Sequence, residues 1–249
     1  MNPPRLFDPK ALALHRARAA RIAGDRFLAR EARESLDLRL AATNRSFERA
    51  LAVDALGEDE VVPGEDGAFD LVTSVLALHT VNDLPGVLVQ IRRKLKPDGL
   101  FLGALFGGET LRELREAFTA AEIETMGGVS PRVAPFADVR DLGGLLQRAG
   151  FALPVADVER TTVNYRGFAR LVADLRAEGE TNAMTSRSLK PLRRATLAAL
   201  VAAYDPVVAT FDIVYLTGWA PHESQQQPLK PGSAKARLAE ALGTTERKA

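Results

Sequence analysis

A strand–helix–strand pattern in the middle of the chain constrains its fold most strongly. Residues 69–76, Phe-Asp-Leu-Val-Thr-Ser-Val-Leu, are mainly apolar and predict a buried strand, and residues 100–106 predict a second one. Between them the sequence predicts a helix over 84–95, capped by Asn82 or Asp83. Two apolar strands joined by a helix form a parallel pair with a right-handed crossover. The pattern therefore predicts part of a doubly wound α/β sheet.

Weaker patterns place further elements on both sides of this unit. Residues 50–54 predict a short buried strand that ends in an acid, and residues 209–219 predict a strand that we expect at an antiparallel edge of the sheet. Pro97-Asp98-Gly99 predicts a turn. The other predicted elements are two helices within 11–42, broken near Gly24-Asp25, helices over 110–126, 139–149, 167–178, 189–204 and 234–242, and an extended segment over 154–165.

Composition narrows the classes of function. The net charge is +1, from 33 basic and 32 acidic residues, so there is no global electrostatic case for a nucleic-acid partner. The arginines between Arg16 and Arg33 are interleaved with acids and predict a solvated helix face rather than a binding patch. The chain has no cysteine and its histidines lack metal-ligand spacing, so we expect no metal site. We expect no membrane span and no secretory signal, and predict a cytoplasmic location.

Several motifs recur in one order along the chain. Phe69-Asp70-Leu71-Val72, Leu78-His79 and Leu95-Lys96-Pro97-Asp98-Gly99 come first, and Gly107-Gly108-Glu109-Thr110-Leu111, Ser130-Pro131-Arg132-Val133-Ala134-Pro135-Phe136, Gly179-Glu180-Thr181-Asn182-Ala183 and Gly218-Trp219-Ala220-Pro221-His222 follow. Together they resemble the class I S-adenosylmethionine-dependent methyltransferases. Within that family they are similar to a subgroup related to the mitochondrial complex I assembly factor that hydroxylates an arginine. Carrier-protein methyltransferases of the biotin pathway are more distant relatives.

The resemblance implies a Rossmann-like α/β fold, S-adenosylmethionine as cofactor, and a protein partner that could be a respiratory complex I subunit. It also implies that the chain is divided into three parts. Residues 1–48 form an N-terminal helical segment, residues 49–221 form the methyltransferase-like α/β domain with a helical insertion, and residues 222–249 form a polar tail.

The stretch between the first two strands is short for this family. The complete fold has a glycine-rich turn, two helices and two further strands there, and the second strand ends in the acid that binds the cofactor ribose. Here only residues 55–68 separate the candidate strands, and one crossover alone needs about a dozen residues. We therefore predict an incomplete sheet, with strands two and three missing or reduced, and weak or absent binding of S-adenosylmethionine.

Candidate site residues follow the two central strands, where doubly wound sheets bind ligands. Leu78, His79 and Asn82 are candidates for cofactor binding, and Glu109, Thr110 and Arg132 are candidates for the rim. Each has a structural alternative: a loop histidine for His79, a helix cap for Asn82, Glu109 and Thr110, and a surface ion pair for Arg132. We expect Asp54 to be a turn or cap residue rather than the ribose acid. No catalytic residue is assigned.

These observations favour a degenerate methyltransferase-like protein of the complex I assembly type that acts by protein binding. The alternative is an active enzyme, either an S-adenosylmethionine-dependent methyltransferase or a protein arginine hydroxylase. A nucleic-acid methyltransferase is disfavoured because no basic channel with interleaved aromatic residues is present.

Overall fold

The computed structural model describes residues 5–22 and 24–226 of the chain. Within this part, the helices are α1 (Pro9–Ala19), α2 (Phe27–Ala42), α3 (Leu84–Lys94), α4 (Arg112–Met126), α5 (Val139–Arg148), α6 (Phe168–Glu178) and α7 (Arg194–Ala203), with a 3-10 helix at Leu78–Thr80. The strands are β1 (Ala50–Ala52), β2 (Phe69–Val75), β3 (Leu95–Phe106), β4 (Ala152–Tyr165) and β5 (Val207–Trp219).

The five strands form one mixed sheet in the order β1-β2-β3-β5-β4. β1, β2 and β3 are parallel, while β5 runs antiparallel to β3 and β4 antiparallel to β5. The parallel pair predicted from the strand–helix–strand pattern is therefore confirmed, with α3 as its crossover. The described part of the chain therefore has an α/β architecture, a mixed sheet between two layers of helices.

Helices cover both faces of the sheet. They are required because successive apolar side chains of the central strand β3 point to opposite faces, and both sets must be buried. On β3, Leu100, Leu102 and Phe106 belong to the core on one face, which includes residues of α2, α4, α6 and α7. Phe101 and Leu105 belong to the core on the other face, which includes residues of α3 and α5. Both faces of β3 are thus sealed from water.

The prediction of β5 as an edge strand is wrong. Residues 207–219 lie between β3 and β4, and β4 forms the edge. β5 is buried along most of its length, whereas β4 alternates between partly buried and exposed positions. The predicted extended segment at 154–165 corresponds to this edge strand, β4. It is more polar than β5 because it has a neighbouring strand on one side only.

Some element boundaries also differ from the predictions. The predicted turn at 97–99 is an irregularity inside β3: pairing with β2 shifts register there, and Asp98 has a φ of 61°. α7 begins at Arg194 rather than near residue 189, because Pro191 lacks a backbone donor and disfavours helix in the residue before it. The helix predicted over 234–242 lies outside the described residues.

The N-terminal helices pack onto the sheet domain. α2 buries Leu28, Ala32 and Leu36 in the core that faces β3. α1 is capped by Asp8, whose carboxylate accepts hydrogen bonds from the backbone of Lys10 and Ala11. These helices therefore form one wall of the cavity described next.

Candidate functional site

A cavity of about 710 Å³ opens at the carboxyl edge of the parallel strands. Its floor includes Asp54 just after β1, Val75 and Leu76 at the end of β2, and Leu111 after β3. This edge is where ligands bind in doubly wound sheets. α1 and α2 line one side, and the loop at 132–136 and the end of α6 line the other.

His79 lies on this floor, in the 3-10 helix that follows β2, with its side chain only 2% exposed. Its Nε2 lies 2.9 Å from Oε2 of Glu180, and its ring packs edge-on against Phe106 at a centroid distance of 4.9 Å. Nδ1 has no protein partner. The alternative of a partly exposed loop histidine is therefore wrong. Leu78 is buried in the opposite core and does not line the large cavity.

Asn82 connects the N-terminal segment to the sheet. Its Oδ1 accepts from the backbone N–H of Phe7 at 2.8 Å, and its Nδ2 donates to Glu60 at 2.9 Å. Asp83 is the N-cap of α3, because its carboxylate accepts from the backbone N–H of Gly86. Asn82 lines a smaller neighbouring pocket rather than the large cavity.

Glu109 and Thr110 do not line the cavity. Glu109 is exposed and pairs with Arg112 at 3.3 Å. Thr110 is buried, and its hydroxyl exchanges hydrogen bonds with the backbone of Asp212 on β5. Neither residue caps α4 through its side chain. The structure thus separates these two rim candidates from His79 and Arg132.

Arg132 does line the cavity, and a buried carboxylate holds it there. Glu122 on α4 accepts from Nε of Arg132 at 2.7 Å and from the backbone N–H of Ser130 at 2.6 Å. Burial alone would raise the pKa of Glu122, but these donors outweigh it and the pKa is lowered. The loop that carries Ser130 and Arg132 is therefore fixed against α4.

Arginines of the N-terminal helices also reach the cavity, which the prediction of a solvated face did not anticipate. Arg16, Arg26, Arg30 and Arg33 all line it. Arg33 pairs with Asp54 at 3.2 Å, and the other carboxylate oxygen of Asp54 accepts from the backbone N–H of Val75 at 2.9 Å. Asp54 thus bridges β1, β2 and α2.

The sequence analysis missed two acids at the end of α6. Glu178 is almost fully buried, and its carboxylate accepts from the backbone N–H of Leu28 at 3.0 Å, near the start of α2. Burial raises the pKa of Glu178 to about 7, although this hydrogen bond and Arg26 oppose the rise. Glu180 holds His79, as described. The signal in the sequence is the motif Gly179-Glu180-Thr181-Asn182-Ala183, which contains Glu180 and directly follows Glu178.

The described residues were also compared with the requirements of a metal site and of a membrane-spanning helix. Across residues 5–22 and 24–226, no group of three or more histidine, aspartate or glutamate side chains is arranged to hold a metal ion. None of the helices in this part of the chain is long and apolar enough to cross a membrane.

Comparison with known proteins identifies the relatives of this chain. A family model described as "Methyltransferase domain" matches residues 29–103. The chain is 43% identical over 205 residues to "Arginine-hydroxylase NDUFAF5, mitochondrial" of Danio rerio, covering 79% of this chain and 64% of that protein. The human protein of the same name is 44% identical over 208 residues, covering 80% and 60%. A malonyl-[acyl-carrier protein] O-methyltransferase of Laribacter hongkongensis is 36% identical over 194 residues, covering 76% and 63%.

The prediction of a cytoplasmic location is wrong by this comparison. The arginine hydroxylases are named as mitochondrial proteins, which points to the mitochondrion. The prediction depended on the expected absence of a membrane span and of a secretory signal, and these two expectations do not fix a compartment.

The chain matches only part of the length of these relatives. The chain spans about three-fifths of the length of the arginine hydroxylases that it matches. It matches them at higher identity than the carrier-protein methyltransferase, which agrees with the order of relatedness that the motifs predicted. This chain is thus similar in sequence to the class I methyltransferase-like proteins and, at 43–44% identity, to the NDUFAF5 arginine hydroxylases.

Proposed function

We propose that this chain is a methyltransferase-like protein that acts by binding a protein partner, as a complex I assembly-type factor, and that it binds S-adenosylmethionine weakly or not at all. The observation that carries the proposal is the connection after β1. Residues 53–68 contain no helix or strand, and β1 lies at the end of the sheet beside β2. We infer that strands two and three of the complete family fold are missing here.

The residues around the cavity fit S-adenosylmethionine poorly. Gly179, the residue just after α6, is the one glycine that lines the cavity within the described residues, so no glycine-rich turn brings backbone N–H groups to a ligand there. Asp54, the acid after β1, already accepts from Val75 and pairs with Arg33. Losing three or four hydrogen bonds, at roughly 0.5–1.5 kcal/mol each, removes much of a micromolar affinity.

The N-terminal segment 1–48 takes part in the same site under this proposal. α1 and α2 contribute Leu12, Arg16 and Arg33 to the cavity wall. We therefore propose that this segment works together with the α/β domain at 49–221. A complex I subunit is the proposed partner, since complex I assembly is the function implied by the motif resemblance.

An active enzyme is the second candidate, and the cavity itself favours it. A volume of about 710 Å³ suits a small molecule or a side chain of a partner. Glu178, Glu180 and Asp54 on its wall are carboxylates of the kind that pair with a guanidinium, and the relatives include proteins named arginine hydroxylase. A protein arginine is therefore the substrate that this alternative implies.

Isothermal titration calorimetry separates the two candidates. We expect S-adenosylmethionine and S-adenosylhomocysteine to bind the purified chain with dissociation constants above about 1 mM. Purified complex I subunits, titrated one at a time, should include one that binds saturably. A low-micromolar dissociation constant for S-adenosylmethionine would overturn the proposal and favour the enzyme.

A further inference from the structure

The chain from Thr181 to Tyr204 contains no acidic residue but four basic ones, Arg187, Lys190, Arg193 and Arg194. Arg187 pairs with Asp8 at 2.8 Å. Lys190, Arg193 and Arg194 are exposed, and none of them pairs with a carboxylate within 4.0 Å in the described part of the chain. This surface therefore has a local positive charge that the overall balance of +1 conceals.

Apolar side chains are exposed on the same segment. Leu189, before α7, is 83% exposed, and Leu197 and Val201 on α7 are 41% and 47% exposed. Arg194, Leu197 and Val201 follow each other at i, i+3 and i+7, so they form one stripe along the helix. The opposite side of α7 buries Thr196 and Leu200 against α4 and the core. We call the exposed side, with Leu189 and Lys190, the α7 surface.

A further exposed apolar side chain lies at the end of α4, the helix that packs against α7. The hydroxyls of Thr125 and Thr196 lie 2.8 Å apart where the two helices pack. Met126, next to Thr125, is 44% exposed. Large apolar side chains on neighbouring elements with a charged rim are typical of a protein interaction site.

We propose that the α7 surface docks an acidic amphipathic segment of a protein partner. The inference depends on the proposed function, and it names the surface and the chemistry of the partner. Acidic side chains of the partner would meet Lys190, Arg193 and Arg194, and its apolar side chains would cover Leu197 and Val201.

Charge argues against two other occupants. A second copy of the chain in a two-fold arrangement would place like charges opposite each other. The chain's own residues 227–249 are also net basic. An anionic membrane would attract the arginines, but the segment over 185–203 lacks the aromatic residues typical of interfacial helices.

The surface is also linked to the cavity. Asn182 and Ala183, at the start of the segment from Thr181 to Tyr204, line the cavity. Asn182 donates from Nδ2 to the carbonyl of Pro131 at 2.8 Å, which ties the start of the segment to the loop that carries Arg132. The segment that carries the α7 surface is therefore attached to the cavity wall at its start.

The test uses the full chain and a defined probe, a synthetic helical peptide with leucines at i, i+3, i+4 and i+7 and glutamates on its other face. We expect the wild type to bind this peptide, and binding to weaken about tenfold in R193E/R194E and at higher salt. The matched control R140E/R148E reverses two exposed arginines of α5 and should bind like the wild type. L197S/V201S should weaken binding without the change in salt dependence. Circular dichroism and thermal melting check that all variants are folded.

Three outcomes would overturn the proposal: no binding by the wild type, equal loss in both double arginine variants, or preference for a matched peptide with lysines in place of the glutamates. Binding to phosphatidylglycerol vesicles, but neither to the peptide nor to phosphatidylcholine vesicles, would assign the surface to a membrane instead. The cofactor titration tests the proposed function separately, because it involves no residue of the α7 surface.

Discussion

Replacement of Glu178 by glutamine should change how the stability of the protein depends on pH. The Glu178 side chain is about 1% exposed, and its carboxylate accepts from the backbone of Leu28 and lies 3.8 Å from Nε of Arg26. Burial dominates and raises its pKa from 4.5 to about 7. The folded protein therefore keeps a proton on Glu178 at a pH where the unfolded chain has lost it.

The sign and size of the effect follow from linkage. A raised folded-state pKa gives a stabilising contribution that is complete below about pH 4.5 and is lost as the pH rises through about 7. At 1.36 kcal/mol per pKa unit, the loss is about 3 kcal/mol. Glutamine can still accept the hydrogen bond from Leu28 but does not ionise. Glu178→Gln should therefore gain stability relative to the wild type as the pH rises from 5 to 8.

Urea denaturation at pH 5, 6, 7 and 8 measures the effect as the difference in unfolding free energy between the variant and the wild type. The difference is the correct quantity because burial lowers the pKa of His15, which adds an opposite slope below about pH 6.5 in both proteins. Glu116→Gln, at an exposed position on α4, is the control and should show no such trend. Parallel curves for Glu178→Gln and the wild type would refute the reasoning.

Three other substitutions test the contacts around the cavity. Glu122→Gln removes a buried charge that holds Ser130 and the neighbouring loop, and should lower the unfolding free energy by roughly 3 kcal/mol in urea denaturation; unchanged stability would contradict this. Asn82→Ala leaves the backbone N–H of Phe7 without its acceptor, so amide hydrogen exchange at Phe7 should become faster. An unchanged exchange rate would show that this hydrogen bond does not protect Phe7. Asp54→Ala should cost roughly 1–2 kcal/mol of stability while calorimetry shows the same weak binding of S-adenosylmethionine; loss of a measurable affinity would give Asp54 a cofactor role.

The central unit of the fold could be predicted because its signals are local. The strand predicted at 69–76 is β2 at Phe69–Val75, and the helix predicted over 84–95 is α3 at Leu84–Lys94. Apolar runs, a capping acid and proline in the first turn all lie within the elements that they specify. The position of β5 depended instead on pairing with β3 and β4, which are distant in sequence.

The candidate site was less predictable because its residues come from distant parts of the sequence. His79 could be found because it follows a buried strand, but its partner Glu180 lies 101 residues later. Glu178 belongs to a helix end where an acid is ordinarily solvated, but it is buried here, and the start of α2 contacts it through the backbone of Leu28. The burial of a charged residue depends on which element covers it, and that information is not present in its local sequence.

The segment that follows α6 explains how the N-terminal helices and the sheet form a single cavity. Glu180 reaches the floor of the cavity at His79, while Thr181 accepts from Arg18 of α1 at 2.7 Å. The carbonyl of Ala183 then accepts from the backbone N–H of Asp8, the residue that caps α1. One short segment thus fixes α1 relative to the end of β2. Because these contacts are polar and α1 buries only two of its residues, the position of α1 depends on this segment more than on apolar packing. Loss of these polar contacts would therefore affect the position of α1 and, with it, the part of the cavity wall that Leu12 and Arg16 form.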